Sequence, residues 1–165
     1  TLVPDALNSV TDFRIGGFTG VTMSQLAAPA RIIVVSLVLL LTLSHQLDIL
    51  SLGTDTAKSL GLAVGRMRII FLILAAALAG AAVSFAGLLG FIGLIVPHMM
   101  RRLAGEDSGI LMAATALGGA LFMVLCDLVA RVLFSPFEIP VGIVLSFAGA
   151  PFFLWLLFRQ RGGRV

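Results

Sequence analysis

Charged residues are scarce in this 165-residue chain: only 12% are Asp, Glu, Lys or Arg, whereas soluble domains average about a quarter. Hydrophobic residues make up 59%, and the mean hydropathy is +1.14. This balance excludes an ordinary soluble domain and predicts an all-α integral membrane protein, a polytopic helical bundle. A chain of this length holds about five or six spans of roughly 20 residues, which leaves no room for a soluble catalytic domain.

Metal-binding and redox residues are equally rare. The one cysteine, Cys126, excludes an intrachain disulfide and is interpreted as a small packing residue. The two histidines, His45 and His98, lack partners at ligand spacing, so no metal site and no cofactor are expected. We interpret His45 as an interfacial residue and His98 as a packing residue at a helix start. A proton relay or a metal ligand is the alternative for His98.

Nucleotide-binding and catalytic motifs are also missing. No G-x-x-x-x-G-K-[ST] loop occurs, so the chain is not expected to hydrolyse ATP by itself. Ser84, His98 and Asp127 could be imagined as the triad of an intramembrane hydrolase. No nucleophile motif surrounds that serine, however, and Asp127 has a closer partner in Arg131, so we expect no catalytic residue. The net charge of +3 does not predict nucleic-acid binding, since the basic residues are dispersed beside apolar runs.

Five apolar runs have about the length of a membrane span, and one of them is short or broken. They are residues 28–43, 69–89, 91–103, 110–133 and 141–158 of a transmembrane domain over 26–165, preceded by an external or poorly defined segment, 1–25. The third run is the broken one, because glycines weaken it and Pro97 suits a new helix start. The residues assigned to this helix break are Gly90, Gly93, Pro97 and His98. Beyond it, Gly105 to Ser108 form a tight connection with capping residues for the next helix.

A polar segment, residues 46–68, separates the first two runs and holds too many apolar side chains for a disordered linker. Thr54 is a candidate N-cap, Asp55 an acid for the first turn and Gly61 a stop, which predicts a helix of about two turns. A second turn, Leu62 to Arg66, leads into the next run. Two interpretations remain open: a connecting loop with a helical turn, or a docking element whose two short helices a partner grips.

Basic residues are distributed unevenly between the two ends of the predicted spans. With alternating spans, eight of the 11 Lys and Arg residues fall on the side of segment 46–68, and three fall on the other side. The eight are Lys58, Arg66, Arg68, Arg101, Arg102, Arg159, Arg161 and Arg164, and the three are Arg14, Arg31 and Arg131. The positive-inside rule predicts that the eight-charge side, which includes the C-terminus, is cytoplasmic.

Three motifs carry a resemblance to a known family. They are LDILSLGTDTAKSLGLAVGRMR from Leu47, GLLGFIGLIVPHMMRRLAGED from Gly87 and LCDLVARVLFSPFEIPVGIVLSFAGAPFFLWLL from Leu125. In order and spacing they resemble the membrane permease subunit of the type II ABC importers for iron-siderophores, haem and cobalamin, from about Gly16 to Phe158. The complete subunit of that family is much longer, so the resemblance implies the C-terminal half.

The resemblance implies a transport subunit of the bacterial cytoplasmic membrane rather than an enzyme. Its implied partners are an ATP-binding ABC subunit, a substrate-binding protein, a second permease subunit and the lipid bilayer. The residues implied to couple to the ATPase, on cytoplasmic coupling helices, are Leu52, Gly53, Asp55, Ala57, Lys58, Ser59, Leu60 and Gly61. Arg131 and Glu138 are implied to dock the binding protein. The alternative is a structural membrane scaffold, or an incomplete and non-functional permease fragment.

Overall fold

The computed structural model describes residues 16–18, 21–133 and 139–161, and every regular element in these ranges is an α-helix. The seven helices are α1 (Met23–Thr42), α2 (Ser44–Ser51), α3 (Thr54–Ser59), α4 (Val64–Ala86), α5 (Ile92–Ala104), α6 (Ser108–Leu133) and α7 (Val141–Arg161). The predicted all-α fold class is therefore confirmed.

Three of the helices are long and apolar enough to cross a membrane: α1, α4 and α6 over Ser108–Val132. They match the first, second and fourth predicted spans. The third predicted span corresponds to α5, which has only 13 residues. The fifth corresponds to α7, whose described apolar part is Val141–Leu154. The count of five spans stays a prediction, because these two stretches are shorter than the roughly 20 residues that a perpendicular helix needs.

Two short helices do lie between the first two spans, but the first of them is not the predicted one. The predicted turn from Leu62 to Arg66 belongs in part to α4, which begins at Val64. The additional short helix is α2, directly after α1. Leu43 separates them with φ −95° and ψ 5°, while the Leu43 and Leu47 N–H groups still donate to Leu39 and Leu43 carbonyls at 3.0 and 3.2 Å. The bend therefore interrupts the helix for one residue and keeps its backbone bonding.

The predicted N-cap of α3 is wrong by one residue. Thr54 is the first helical residue, and the N-cap is Gly53 with φ 107°. Such a φ is strained for a residue with a Cβ, so glycine is favoured at this turn. The helix then ends as predicted at Gly61, whose φ is 82°.

The predicted helix break exists, but Pro97 does not begin the helix that follows it. The non-helical stretch covers 87–91 and includes Gly90. Positive φ values at Gly87 (69°) and Phe91 (64°) turn the chain there, so α5 begins at Ile92. Pro97, His98 and Gly93 all lie inside α5. The interpretation of Pro97 and His98 as a helix start is therefore wrong.

The described residues belong to two compact units. Unit A covers Val21–Phe85 and Ala104–Ala114, and unit B contains the described parts of Thr1–Gly20, Ala86–Leu103 and Thr115–Val165. In unit B, the second half of α6 packs on the start of α7. The buried residues of this core are Cys126, Ala130, Val141 and Leu145. Cys126 is thus a buried free cysteine with a packing role, as expected.

Residues 16–17 join the end of α4 to the start of α7 within unit B. The Gly17 N–H donates to the Ala86 carbonyl at 2.9 Å, and the Gly142 N–H donates to the Gly16 carbonyl at 3.3 Å. Gly16 has φ 74°, and a Cβ at this position would lie 2.9 Å from the Leu88 carbonyl oxygen. Glycine is required here both by the backbone conformation and by the close approach.

Candidate functional site

Helix α3 is a six-residue helix held between two glycines. At its C-terminus the Gly61 N–H donates to the Lys58 carbonyl at 2.9 Å and the Leu62 N–H donates to the Ala57 carbonyl at 3.0 Å. With Gly61 in the left-handed region, this is a Schellman motif, which satisfies two otherwise unpaired carbonyls. Asp55 lies in the first turn and Lys58 in the last, the order that the helix dipole favours.

Seven of the eight predicted coupling residues are exposed on this helix and its flanking turns. They are Leu52, Gly53, Asp55, Lys58, Ser59, Leu60 and Gly61. The two leucines at either end of α3 are 63% and 62% exposed. Together these residues form a surface, which we call the α3 surface, with an apolar side chain at each end and charges between them.

Ala57 differs from the other seven, because it is 0% exposed. Its N–H donates to the Gly53 carbonyl at 3.0 Å. The structure therefore places Ala57 on the buried face of α3. Sequence reasoning grouped it with the exposed residues because a six-residue helix is too short to reveal which face is apolar. Because its side chain is buried in this structure, Ala57 is not accessible to a partner.

Asp48 on α2 holds the N-terminus of α6. Its Oδ1 accepts a hydrogen bond of 3.0 Å from the backbone N–H of Ser108, the first residue of α6. Hydrogen bonds from the Ser108 hydroxyl and from this N–H hold the pKa of the Asp48 carboxyl below its ordinary value of 3.8, and nearby His45 adds to the effect. Sequence reasoning missed this contact, because the partners are 60 positions apart.

The connection before α6 is capped as predicted. The Asp107 carboxylate accepts a hydrogen bond from the Ile110 N–H at 3.0 Å, and the Asp107 carbonyl accepts one from the Leu111 N–H at 2.8 Å. Asp107 is therefore the N-cap of α6. The α6 N-terminus thus has two carboxylates, one from its own cap and one from α2, which suits the partial positive charge of a helix start.

At the other end of α6, Asp127 and Arg131 form the expected ion pair. Arg131 Nε donates to Asp127 Oδ2 at 2.8 Å, and the two side chains are 49% and 27% exposed. The pair follows from the spacing of four residues, in the order that favours an ion pair on one helix face. The other predicted docking residue, Glu138, lies outside the described residues.

The helix-break residues do not form a reactive centre in the part of the chain that the structure describes. His98 has a buried Nε2 without a hydrogen-bond partner, and its ring lies 5.8 Å from that of Phe152 on α7. The imagined triad has other contacts: Ser84 Oγ donates to the Ala81 carbonyl at 2.7 Å, and Asp127 bonds Arg131. Within the same described ranges, no group of three or more His, Cys, Asp or Glu residues could hold a metal ion.

Unit B contains an open, mostly apolar cavity of about 640 Å³ beside the helix break. Leu88 and Gly90 line it from the non-helical stretch, and the first half of α7 supplies the rest of the wall. The α7 residues are Gly142, Ile143, Ser146, Phe147, Ala150 and Pro151. Gly142, Ser146 and Ala150 recur at every fourth position, so the stripe that they form on α7 carries only small side chains and leaves space for the cavity.

Comparison with known proteins decides the family. The FecCD transport family matches residues 1–159 of the chain. The chain belongs to the FecCD transport family. The resemblance drawn from the three motifs is thereby confirmed, and the apolar helices fit a multi-pass membrane protein of this family.

Curated relatives match this chain over most of its length. The hemin transport system permease protein HmuU of Yersinia pestis is 41% identical over 92% of this chain and 46% of its own length. The Fe(3+) dicitrate transport system permease protein FecD of Escherichia coli (strain K12) is 38% identical over 96% of this chain and 50% of its own length. The chain thus spans about half the length of these curated relatives.

A solved structure shows the same fold. A protein assigned to the metal-chelate type of ABC transporter, in an inward-facing conformation, superimposes with a TM-score of 0.86 at 33% sequence identity. The match covers 94% of this chain and 52% of that one. This FecCD-family chain therefore has the helical fold of an ABC permease.

Proposed function

We propose that this FecCD-family chain forms the C-terminal half of the permease subunit of an ATP-driven importer in the bacterial inner membrane. A separate ATP-binding subunit supplies the energy, a substrate-binding protein delivers the cargo, and two permease subunits form the pathway. The cargo is a ferric siderophore, haem or a cobalamin-type compound. The names of the relatives, which include hemin, Fe(3+) dicitrate and iron(3+)-hydroxamate permeases, support the class without selecting one member.

The α3 surface is the observation that carries this proposal. A six-residue helix fixed by glycine at both ends exposes two leucines in a chain segment between candidate spans. Large apolar side chains on a rigid, partly charged surface are typical of protein interfaces rather than of solvated loops. We therefore propose that the α3 surface docks into the ATPase, with Leu52 and Leu60 as its apolar anchors and Asp55 and Lys58 as polar contacts at its centre.

Leu60→Glu tests the docking. A carboxylate at this anchor would be left unpaired in an apolar groove, so affinity for the ATPase should fall by about tenfold or more, the size of an interface hot spot. The measurement is binding of the purified ATPase to the complete permease in detergent, followed by ATP-driven uptake in proteoliposomes. We expect the permease to insert and fold normally, because Leu60 is already 62% exposed.

Leu103→Glu is the matched control. Leu103 is 78% exposed near the C-terminal end of α5 and does not belong to the α3 surface. This variant introduces the same charge at a similarly exposed leucine, and it should bind the ATPase with unchanged affinity. Equal affinity of Leu60→Glu and the parent permease would remove the α3 surface from the interface and with it the main support for the proposal.

A further inference from the structure

The Asp48 to Ser108 hydrogen bond connects the segment that carries the α3 surface to a helix far away in sequence. The neighbouring serines make only local bonds: Ser51 and Ser59 each donate to a carbonyl three residues earlier. Asp48, by contrast, bonds a residue 60 positions later, at 3.0 Å. This contact lies wholly within unit A.

A second contact between α2 and α6 lies next to the Asp48 to Ser108 bond and joins Ser44 to Gly109. A Cβ on Gly109 would lie 3.0 Å from Ser44 Oγ and 3.4 Å from Ser44 Cβ. The first turn of α6 therefore lies against the first turn of α2, and a Cβ at Gly109 would fit there once the Ser44 hydroxyl had shifted slightly. We call the four residues Ser44, Asp48, Ser108 and Gly109 the α2–α6 junction.

The junction is continuous with the α3 surface and with two candidate spans. Backbone bonds run through the bend at Leu43, which links α2 to α1. On the other side, the Leu52 and Gly53 N–H groups donate to Ile49 and Leu50 carbonyls at 3.3 Å, so the turn before α3 is hydrogen-bonded to α2. Hydrogen-bonded backbone thus joins α3 to α2, and Ser44 and Asp48 of the junction lie on that same helix.

We propose that Asp48 is a positioning residue that makes α2 and the start of α6 move as one body, so that motion of the docked α3 surface reaches α6. The inference rests on the proposed function, because it assumes that an ATPase acts on α3. Without the junction, α2 would move with the ATPase but α6 would not move with α2. ATP would then be hydrolysed without the movement of α6 that accompanies transport.

Two substitutions remove the bond from opposite sides. Asp48→Ala deletes the acceptor. Ser108→Pro deletes the donor at a position where proline is well tolerated, since Ser108 is the first residue of α6 and Asp107 is its cap. In the assembled transporter, each variant should raise the ATP hydrolysed per substrate imported by at least about threefold, the effect of losing one ordinary hydrogen bond. Because both remove the same Asp48–Ser108 contact, the double variant should be no worse than either single variant.

Two further variants separate coupling from folding. Asp48→Asn keeps an oxygen that can accept the Ser108 N–H bond, so it should stay close to the parent ratio of ATP to substrate. Glu106→Ala removes an exposed acid two residues before Ser108 without touching the junction, and it should leave the ratio unchanged. Thermal unfolding of each detergent-purified transporter is measured in parallel. Lower stability in Asp48→Ala with a parent ratio of ATP to substrate would overturn the inference in favour of a structural contact.

A reversible cross-link tests the one-body movement directly. The 3.4 Å between an ideal Gly109 Cβ and Ser44 Cβ is close to the separation that a disulfide requires, so Ser44→Cys with Gly109→Cys should cross-link under a mild oxidant. If α2 and α6 move together, the oxidised transporter imports substrate at the ratio of its reduced form, and the cross-link restores coupling to Asp48→Ala. Uptake that stops on oxidation and returns on reduction would show that the two helices separate, and would sink the inference.

Failure of the inference is distinguishable from failure of the proposed function. If Leu60→Glu uncouples the transporter and Asp48→Ala does not, docking on α3 stands and the role of Asp48 alone falls. If the parent chain in its transporter supports no ATP-driven uptake, the proposed function fails and the inference fails with it.

Discussion

Gly149 is a glycine because the side chain of Phe91 occupies the space in which a Cβ would lie. A Cβ at this position would come within 2.3 Å of Phe91 Cβ and 2.4 Å of its Cγ. Phe91 has φ 64° and also stacks at a tilt on Phe153, with 6.5 Å between ring centroids. A bulky residue in the left-handed region is strained, so its packing on α7 has to fix it there.

We therefore expect Gly149→Ala to destabilise the protein by about 1–3 kcal/mol, the usual cost of overpacking. The added methyl group must displace either α7 or the strained Phe91, and neither is the flexible end of a side chain. Gly80→Ala is the control, because it lies inside α4 with nothing within 4 Å of an ideal Cβ. It should be neutral or slightly stabilising. Thermal unfolding in detergent compares the two, and a lower melting temperature for Gly80→Ala alone would contradict this account.

Arg131 allows a test of docking by the binding protein. Its guanidinium pairs with Asp127 and is about half exposed, so it is oriented and still accessible near the end of α6. We expect Arg131→Glu to weaken binding-protein association about tenfold at low salt, and to weaken it much less at 1 M salt, where charges are screened beyond about 3 Å. Arg131→Lys keeps the charge and should retain most of the affinity. Affinity that is unchanged across the salt series, with lower membrane expression, would leave the pair a structural role only.

At the scale of elements, the sequence correctly predicted the features that depend on neighbouring residues. It did not predict the features that depend on contacts between residues far apart in the chain. The end of α3 at Gly61 follows from glycine in a left-handed turn, and the cap of α6 follows from Asp107. Both signals lie within a few residues of the feature that they set. The Asp127 to Arg131 pair was predictable for the same reason, since it depends on spacing along a single helix.

Helix α2 and the start of α5 were not predictable in this way. No proline or glycine marks Leu43, where α1 ends, and the partner that holds α2 is Ser108, on another helix. Pro97 was expected to begin a helix, yet α5 begins five residues earlier, directly after the turn that the positive φ of Phe91 makes. That φ is stabilised by packing on Gly149, a contact that no local pattern reveals. The presence of a short helix at α3 was predictable, but the buried position of Ala57 on it was not.

At the scale of the whole molecule, the contacts within each unit agree with the alternation of spans that the predicted orientation assumes. In unit A, the Asp48 to Ser108 bond brings the segment after α1 to the start of α6. In unit B, residues 16–17 bond both Ala86 at the end of α4 and Gly142 near the start of α7. If successive spans cross in opposite directions, the end of α1 lies on the side where α6 starts. Residues 16–17, which precede α1, then lie on the side where α4 ends and α7 starts. The positive-inside rule then predicts that the side with Lys58, Arg66, Arg68, Arg101 and Arg102 is cytoplasmic.

Cysteine labelling of the complete permease in intact cells tests this orientation. Within these 165 residues the one cysteine, Cys126, is buried, and any cysteine elsewhere in the complete permease is first replaced by serine. We expect a membrane-impermeant maleimide to label Val132→Cys, which lies at the last residue of the candidate span in α6, and to label Thr56→Cys on α3 only after permeabilisation. The reason is electrostatic: moving the eight basic residues of the α3 side across an energised membrane is opposed by the potential, which acts on each charge. Labelling of Thr56→Cys in intact cells, with Val132→Cys protected, would invert the topology, and the α3 surface could then not meet an ATPase in the cytoplasm.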